Sequence, residues 1–169
     1  MSDAIKSWAI SSVVFLDHKP ENGTVKTATS VSSDDTIMAG PANDTSGIMY
    51  IWSANGGKVK APSDCSSLFC GQNSEYMKKN ITSIDCSALD TSAVVNMKTM
   101  FSELNSLTSL NVSGFDTSNV TDMMGMFFAC DKLAKLDLSS FNTGNVTTMT
   151  SMFSECHALK ELDIRGFNT

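Results

Sequence analysis

From Ile81 to Thr169 the sequence repeats itself with a period of 26 residues. The segments that begin at Ile81, Leu107, Leu133 and Leu159 read ITSIDCSALDTSAVVNMKTMFSELNS, LTSLNVSGFDTSNVTDMMGMFFACDK, LAKLDLSSFNTGNVTTMTSMFSECHA and LKELDIRGFNT. A period of roughly 20 to 50 residues marks a stacked array in which each unit contacts only its neighbours. A single unit of this size cannot fold alone, because ordering its chain costs about as much as burying its apolar side chains returns. Stacking is therefore the first requirement that the sequence sets.

Each repeat opens with L-x-x-L-x-L. The apolar columns are Ile81, Leu107, Leu133, Leu159; Ile84, Leu110, Leu136, Leu162; and Cys86, Val112, Leu138, Ile164. The second and third columns lie two residues apart and share one face of a short strand. A bulky column follows at Leu89, Phe115, Phe141 and Phe167. After a polar turn comes a second apolar set: Val94, Met97, Met100, Phe101 and Leu104, with its counterparts one and two repeats later. Spacings of three and four predict one stripe of a helix of about three turns, with Asn119 and Asn145, or Ser118 and Gly144, at its N-cap. Six of the eleven methionines fall in these columns, where a flexible thioether packs an irregular interior.

The run FDTSNVTxMxxMFxxC after LxxLxL resembles the BspA-like leucine-rich-repeat surface proteins. The segment KVKAPSDCSSLF, before the first repeat, is similar to that family's lead-in. Where the commoner leucine-rich pattern has an Asn, this chain has Leu89 or Phe115, and Asp90, Asp116, Asn142 and Asn168 stand one place later. The resemblance implies a solenoid of parallel strands, on secreted or surface-anchored proteins associated with adhesion. The fold expected is an α/β solenoid, a leucine-rich-repeat-like right-handed array of short parallel strands and short helices. It divides into a β-rich N-terminal cap over 1–57, a degenerate lead-in repeat with an inserted loop over 58–80, and the repeats over 81–169.

Within the cap, Trp8 to Leu16 and Gly47 to Trp52 are apolar and β-branched enough for strands. Asn55-Gly56-Gly57 before Lys58-Val59-Lys60 predicts a hairpin turn. Val25 to Asp44 reads as loop or edge strand. The insertion Gly71 to Asn80 reads as a solvated loop, with Leu68-Phe69 as the remnant of a shortened helix.

The net charge is −6, with no basic stripe, which argues against nucleic acid and anionic membranes. No stretch is long and apolar enough to span a bilayer, and the first residues do not read as a signal peptide. The last repeat stops in mid-motif, so the native protein is expected to be longer or covered there by another subunit. Of the five cysteines, Cys86, Cys130 and Cys156 read as small buried hydrophobes, although a Cys130–Cys156 bridge and a Cys65–Cys70 bridge both stay open. No cofactor or metal is expected: there is no C-x-x-C, and the two histidines, His18 and His157, stand apart. A phosphate-cradling loop and a nucleophile elbow are both missing, so no enzyme is expected. The N-glycosylation sequons at Asn111, Asn119 and Asn145 are built into the repeat.

The residues between the apolar columns must face outward on one continuous sheet face. These are Ser83, Asp85 and Ser87; Ser109, Asn111 and Ser113; Lys135, Asp137 and Ser139; and Glu161, Asp163 and Arg165. They form the candidate interaction face, which carries no outward aromatic. The expected role is a cell-surface interaction or adhesion module that binds a protein or another surface ligand. The alternative is a structural spacer or self-assembling unit that stacks through its open C-terminal end. A ladder of Asp90, Asp116, Asn142 and Asn168, followed by Thr91, Thr117, Thr143 and Thr169, reads as turn-stabilising hydrogen bonding.

Overall fold

The computed structural model describes residues 9–25, 29–30, 37–42 and 46–168. Among these residues ten strands occur in chain order: β1 (Ser12–Leu16), β2 (Thr29–Ser30), β3 (Ile37–Pro41), β4 (Ile48–Ser53), β5 (Val59–Lys60), β6 (Ser83–Asp85), β7 (Leu89–Asp90), β8 (Ser109–Asn111), β9 (Lys135–Asp137) and β10 (Glu161–Asp163). Among the described residues helix is confined to one 3-10 turn, Gly71–Asn73, and to α1, Glu75–Asn80. The alternating strand-and-helix solenoid expected from the periodicity is not what the chain forms.

The correction lies in the second apolar pattern. Met100 N–H donates to Met97 C=O, Cys130 N–H to Phe127 C=O and Met152 N–H to Met149 C=O, each closing a four-residue turn. Thr99, Glu103, Gly125, Ala129, Ser151 and Glu155 all have φ between 52° and 61°. A left-handed residue at the third position is the mark of a type II turn and is incompatible with a continuing helix. Alternate N–H groups point out of the coil to the next one: those of Met97, Thr99, Phe101 and Glu103 donate to the carbonyls of Asp122, Met124, Met126 and Phe128 at 2.7–2.9 Å. A helix would spend those donors within its own repeat. Chained turns spend them between repeats. Both arrangements bring residues three and four apart to one side, so the apolar spacing alone could not separate them. Asn119 and Asn145 are accordingly not N-caps; their side-chain amides donate to Ser92 C=O at 2.8 Å and Ser118 C=O at 2.7 Å in the preceding repeat.

The strands pair in parallel with an offset of one repeat. Ser83, Ile84 and Asp85 face Ser109, Leu110 and Asn111, and Lys135, Leu136 and Asp137 face Glu161, Leu162 and Asp163. β1 takes the position before β6, with Ser12 opposite Ser83. The larger sheet has the order β2-β3-β4-β1-β6-β8, with β1 and β4 parallel and β3 antiparallel to β4. β9 and β10 form a separate pair. Between β8 and β9 the strand ladder is interrupted, and there Leu110 stays half-buried while Ile84 and Leu136 are sealed.

Four local expectations in the N-terminal half also change. Asn55-Gly56-Gly57 makes a turn but no hairpin, because β5 leaves β4 and pairs in parallel with β7. The insertion expected as a loop is helical from Glu75: Ser74 Oγ accepts the Met77 N–H at 3.3 Å, Glu75 pairs with Lys79 at 2.8 Å, and Met77 is buried. The strand expected near Trp8 begins at Ser12, and Trp8 itself lies outside the described residues. Ile37–Pro41, expected as loop or edge, sits inside the sheet between β2 and β4.

The core runs along the stack. Phe69, Phe101, Phe127 and Phe153 stack with ring centroids 5.4, 5.8 and 5.8 Å apart and planes within 8° of parallel. Met97, Met100, Met123 and Met126 are fully buried beside them. A second file, Phe115 on Phe141 at 6.1 Å, lies under the strand side.

Candidate interaction face

The twelve residues singled out by the repeat fall into two kinds of place. Ser83 and Asp85 flank buried Ile84 on β6, and Ser109 and Asn111 flank Leu110 on β8. Lys135 and Asp137 flank Leu136 on β9, while Glu161 and Asp163 flank Leu162 on β10. Ser87, Ser113, Ser139 and Arg165 are not strand residues; they sit two places later, in the corner that follows. Their N–H groups donate to the side-chain oxygens of Asp85, Asn111, Asp137 and Asp163 at 2.9–3.1 Å. The acidic column is thus committed first to holding its own corner, as Asp and Asn do when they bond the backbone two residues on.

The same device recurs at two further columns of the repeat. Asp90, Asp116 and Asn142 accept the N–H groups of Ser92, Ser118 and Gly144 at 3.0–3.1 Å, and Asp64, Asn96 and Asp122 accept those of Ser66, Lys98 and Met124 at 2.8–3.0 Å. The first and second repeats therefore turn three corners with an Asp or Asn at each, while the third has Thr148 at its last corner. Between coils, buried threonines clasp the next backbone. Thr91 Oγ1 takes the N–H of Asp116 and gives its proton to the same residue's C=O, at 2.8 and 2.9 Å, and Thr117 does so with Asn142, Thr143 with Asn168. The Asp/Asn–Thr ladder reads as structural throughout, and Thr169 lies outside the described residues.

The twelve residues do not share one continuous sheet, because the ladder breaks between β8 and β9. On the cap side the face is small and polar, and Ser83 Oγ donates to Ser12 Oγ at 2.8 Å. On the far side it carries charge. Lys135 pairs with Glu161 at 3.1 Å, and Arg165 grips Asp163 through Nε and Nη2 at 3.0 and 2.6 Å. The Arg165 contact holds the Asp163 carboxyl below the ordinary carboxylate range, and the Ser139 hydrogen bonds do the same for Asp137. An open groove of about 690 Å³ lies along β9 and β10, lined by Lys135, Asp137, Lys160, Glu161, Asp163 and Arg165 among others. Leu162 and Ile164 are 38% and 43% exposed there.

The outward columns read from the repeat begin at Ser83 and leave out the continuation of this face into the cap. Val14 on β1 stands opposite Asp85 on one side and Tyr50 of β4 on the other, both half-buried. The face therefore carries an aromatic after all. The signal was present in the alternation of Val13 and Phe15, and of Met49 and Ile51, which turn inward and leave Val14 and Tyr50 outward.

All five cysteines are free thiols, so neither bridge left open by the sequence is formed. Cys130 and Cys156 donate instead to the carbonyls of Phe101 and Phe127 at 3.2 and 3.0 Å. Burial pushes the Cys130 thiol up to about 12 and Cys65 up to about 11, which removes thiolate chemistry at neutral pH. His157 stands between Asp131 at 3.0 Å and Glu155 at 3.2 Å, away from any thiol hydrogen bond. Lys78, expected in a solvated loop, reaches Glu103 at 3.0 Å. Among the described residues no three His, Cys, Asp or Glu side chains form a metal-ligand cluster, and no helix is long and apolar enough to cross a membrane.

The stacked coils coincide with a known family. A family model described as Mycoplasma protein of unknown function, DUF285, matches residues 63–169, from the lead-in corner through the last coil. The chain belongs to this family. The match begins just before Asp64, the first corner residue of the turn ladder, so the family unit is the stack of coils without the cap strands β1 to β4. No curated protein and no solved structure is significantly similar.

Proposed function

We propose that this chain is a non-enzymatic interaction module of the cell surface or secreted space, which binds a protein or another surface ligand through the outward sheet side of its coils. The observation that carries the reading is a contrast inside the chain itself. The inward columns stay apolar from coil to coil, and the corner positions stay Asp or Asn except at Thr148. The outward strand positions change freely, from Ser83 and Ser109 to Lys135 and Glu161, and from Ser87, Ser113 and Ser139 to Arg165. The stack has no need of those charges, since serine serves in the earlier coils. A groove beside exposed charged groups, with Tyr50 at the other end of the face, suits recognition of a polar surface.

The test is binding of the labelled chain to fixed animal cells, with a triple variant Lys135→Ser, Glu161→Ser and Arg165→Ser. Each change installs a residue that another coil already carries, so the fold is retained. Loss of binding is expected; undiminished binding sinks the reading. The spacer alternative is favoured instead if mass in solution grows with concentration and Ile164→Glu stops the growth.

A further inference from the structure

The strand ladder is closed between the first and second repeats and between the third and fourth, and open between the second and third. At the first closed junction Thr108 N–H donates to Thr82 C=O and Cys86 N–H to Asn111 C=O, both at 2.8 Å. At the other, Lys160 N–H donates to Ala134 C=O at 2.9 Å and Leu138 N–H to Asp163 C=O at 2.8 Å. Their counterparts at the open junction, the N–H groups of Ala134 and Val112, make no such bond among the described residues. One column of the repeat sorts the junctions in the same way: it holds Gly114, Ser140 and Gly166. A Cβ on Gly114 would lie 2.2 Å from the Ser87 carbonyl oxygen, and one on Gly166 would lie 2.5 Å from that of Ser139, each in the corner of the preceding coil. Neither glycine is left-handed, so space and not φ calls for glycine there. Ser140 carries the Cβ that both neighbours omit. In the first repeat the column is Ala88, but the strand before it is β1, which runs straight on to Leu16 where the coils turn a corner.

We propose that Ser140 is a wedge, whose Cβ pushes against the Ser113 carbonyl and holds the sheet side of the stack open between the second and third coils, with the turn ladder as the hinge. A Cβ keeps at least about 3.0 Å from such an oxygen, so the spacing found at the glycines must widen by about 0.5–0.8 Å. Strand bonds of 2.8 Å stretched that far pass the upper limit of roughly 3.2 Å and are lost. The opening is one-sided. On the turn side the N–H groups of Met123, Gly125, Phe127 and Ala129 still reach the carbonyls of Thr148, Thr150, Met152 and Ser154 at 2.9–3.0 Å, and Thr117 still clasps Asn142. Leu110, half-buried between sealed Ile84 and Leu136, lies at the seam. The stack is thus two bodies, one running through the second coil and one from the third coil onward, joined along one side. Tilting about that side changes the gap between Asn111 and Asp137, in the middle of the outward side, without breaking any strand pair. The device belongs to the fold and stands independently of what the outward side binds.

Amide hydrogen exchange on the full chain, followed residue by residue by NMR, tests this. In the unaltered chain the Ala134 amide should exchange at least about 100-fold faster than that of Thr108, its counterpart at the first closed junction. Ser140→Gly should close the seam and slow Ala134 more than about tenfold. Ser140→Ala keeps the Cβ and loses only the hydroxyl, so it should exchange like the unaltered chain. Gly114→Ser should open the first junction and speed Thr108 more than about tenfold. The two Ser140 variants decide the matter even where Gly114→Ser does not fold. Equal protection of Ala134 and Thr108, a seam that stays open in Ser140→Gly, one that closes in Ser140→Ala, or a folded Gly114→Ser with Thr108 still protected would each overturn the proposal.

Discussion

Thr117 is the most informative residue to change, because it holds the one junction where the strands do not. Between the second and third repeats the β8–β9 ladder is missing, so the coils are joined by the turn ladder and by side chains. Thr117 is 1% exposed, and its hydroxyl both accepts from Asn142 N–H at 2.8 Å and donates to Asn142 C=O at 2.9 Å. Valine keeps the shape and removes both bonds. Each buried group left without a partner costs about 1–3 kcal/mol. The Asn142 backbone is partly reachable by water, which brings the total to about 2–4 kcal/mol. Urea unfolding followed by far-ultraviolet circular dichroism measures the change. Thr121→Val is the control: its hydroxyl reaches Val95 C=O at 3.3 Å on the exposed surface, and its loss should cost less than about 0.5 kcal/mol. Thr117→Ser keeps the hydroxyl and should fall between the two. If Thr117→Val and Thr121→Val differ by less than about 0.5 kcal/mol, the clasp does not hold the coils together and the reasoning fails.

Gly114→Ala should destabilise by at least about 1–3 kcal/mol, read in the same assay. A Cβ there would lie 2.2 Å from the Ser87 carbonyl oxygen of the preceding coil, and backbone cannot step aside. Ser151→Gly should raise stability by up to about 1 kcal/mol, seen as a higher midpoint, because Ser151 holds φ at 57° in the column where the second repeat has Gly125. A lower midpoint would mean that the left-handed position is not strained. Acid should unfold the stack through its corners. Hydrogen bonds from Ser92 and Ser118 hold Asp90 and Asp116 below their ordinary 3.8, as Ser139 and Arg165 hold Asp137 and Asp163. A lowered folded pKa gives stability that is complete above the unfolded value and is lost as pH falls through the folded one. The melting temperature should therefore be flat at mildly acidic pH and drop below about pH 4. Asp116→Asn, which copies Asn142, should leave neutral stability unchanged and flatten part of that drop; an equally steep drop would acquit the corner.

The inward columns were legible in the sequence because a buried position in a stack recurs with the period of the stack. Ile84, Val94, Met97, Met100, Phe101 and Leu104 are each 1% exposed or less. The structural reading of the Thr91, Thr117 and Thr143 column was legible too, since a small hydroxyl repeated beside a corner has local work to do. The outward strand residues could be named from alternation, although Ser87 and its counterparts proved to be corner residues. Tyr50 was missed because β4 shares no repeat with the coils, and only its pairing with β1 brings it to the face.

Helix against turn was the decision that sequence could not make. Apolar residues at spacings of three and four meet on one side in either conformation, and Met and Leu carry helix propensity without commanding it. The deciding quantity is where Met97, Thr99, Phe101 and Glu103 send their N–H groups, and their acceptors lie 25 residues away in the next coil. Such a partner exists only when the coils are already stacked. The 26-residue repeat by itself determined that the chain must stack and which side chains go inside. Tertiary structure alone decided the path between them, because hydrogen bonds between coils outbid those a helix would have kept within one.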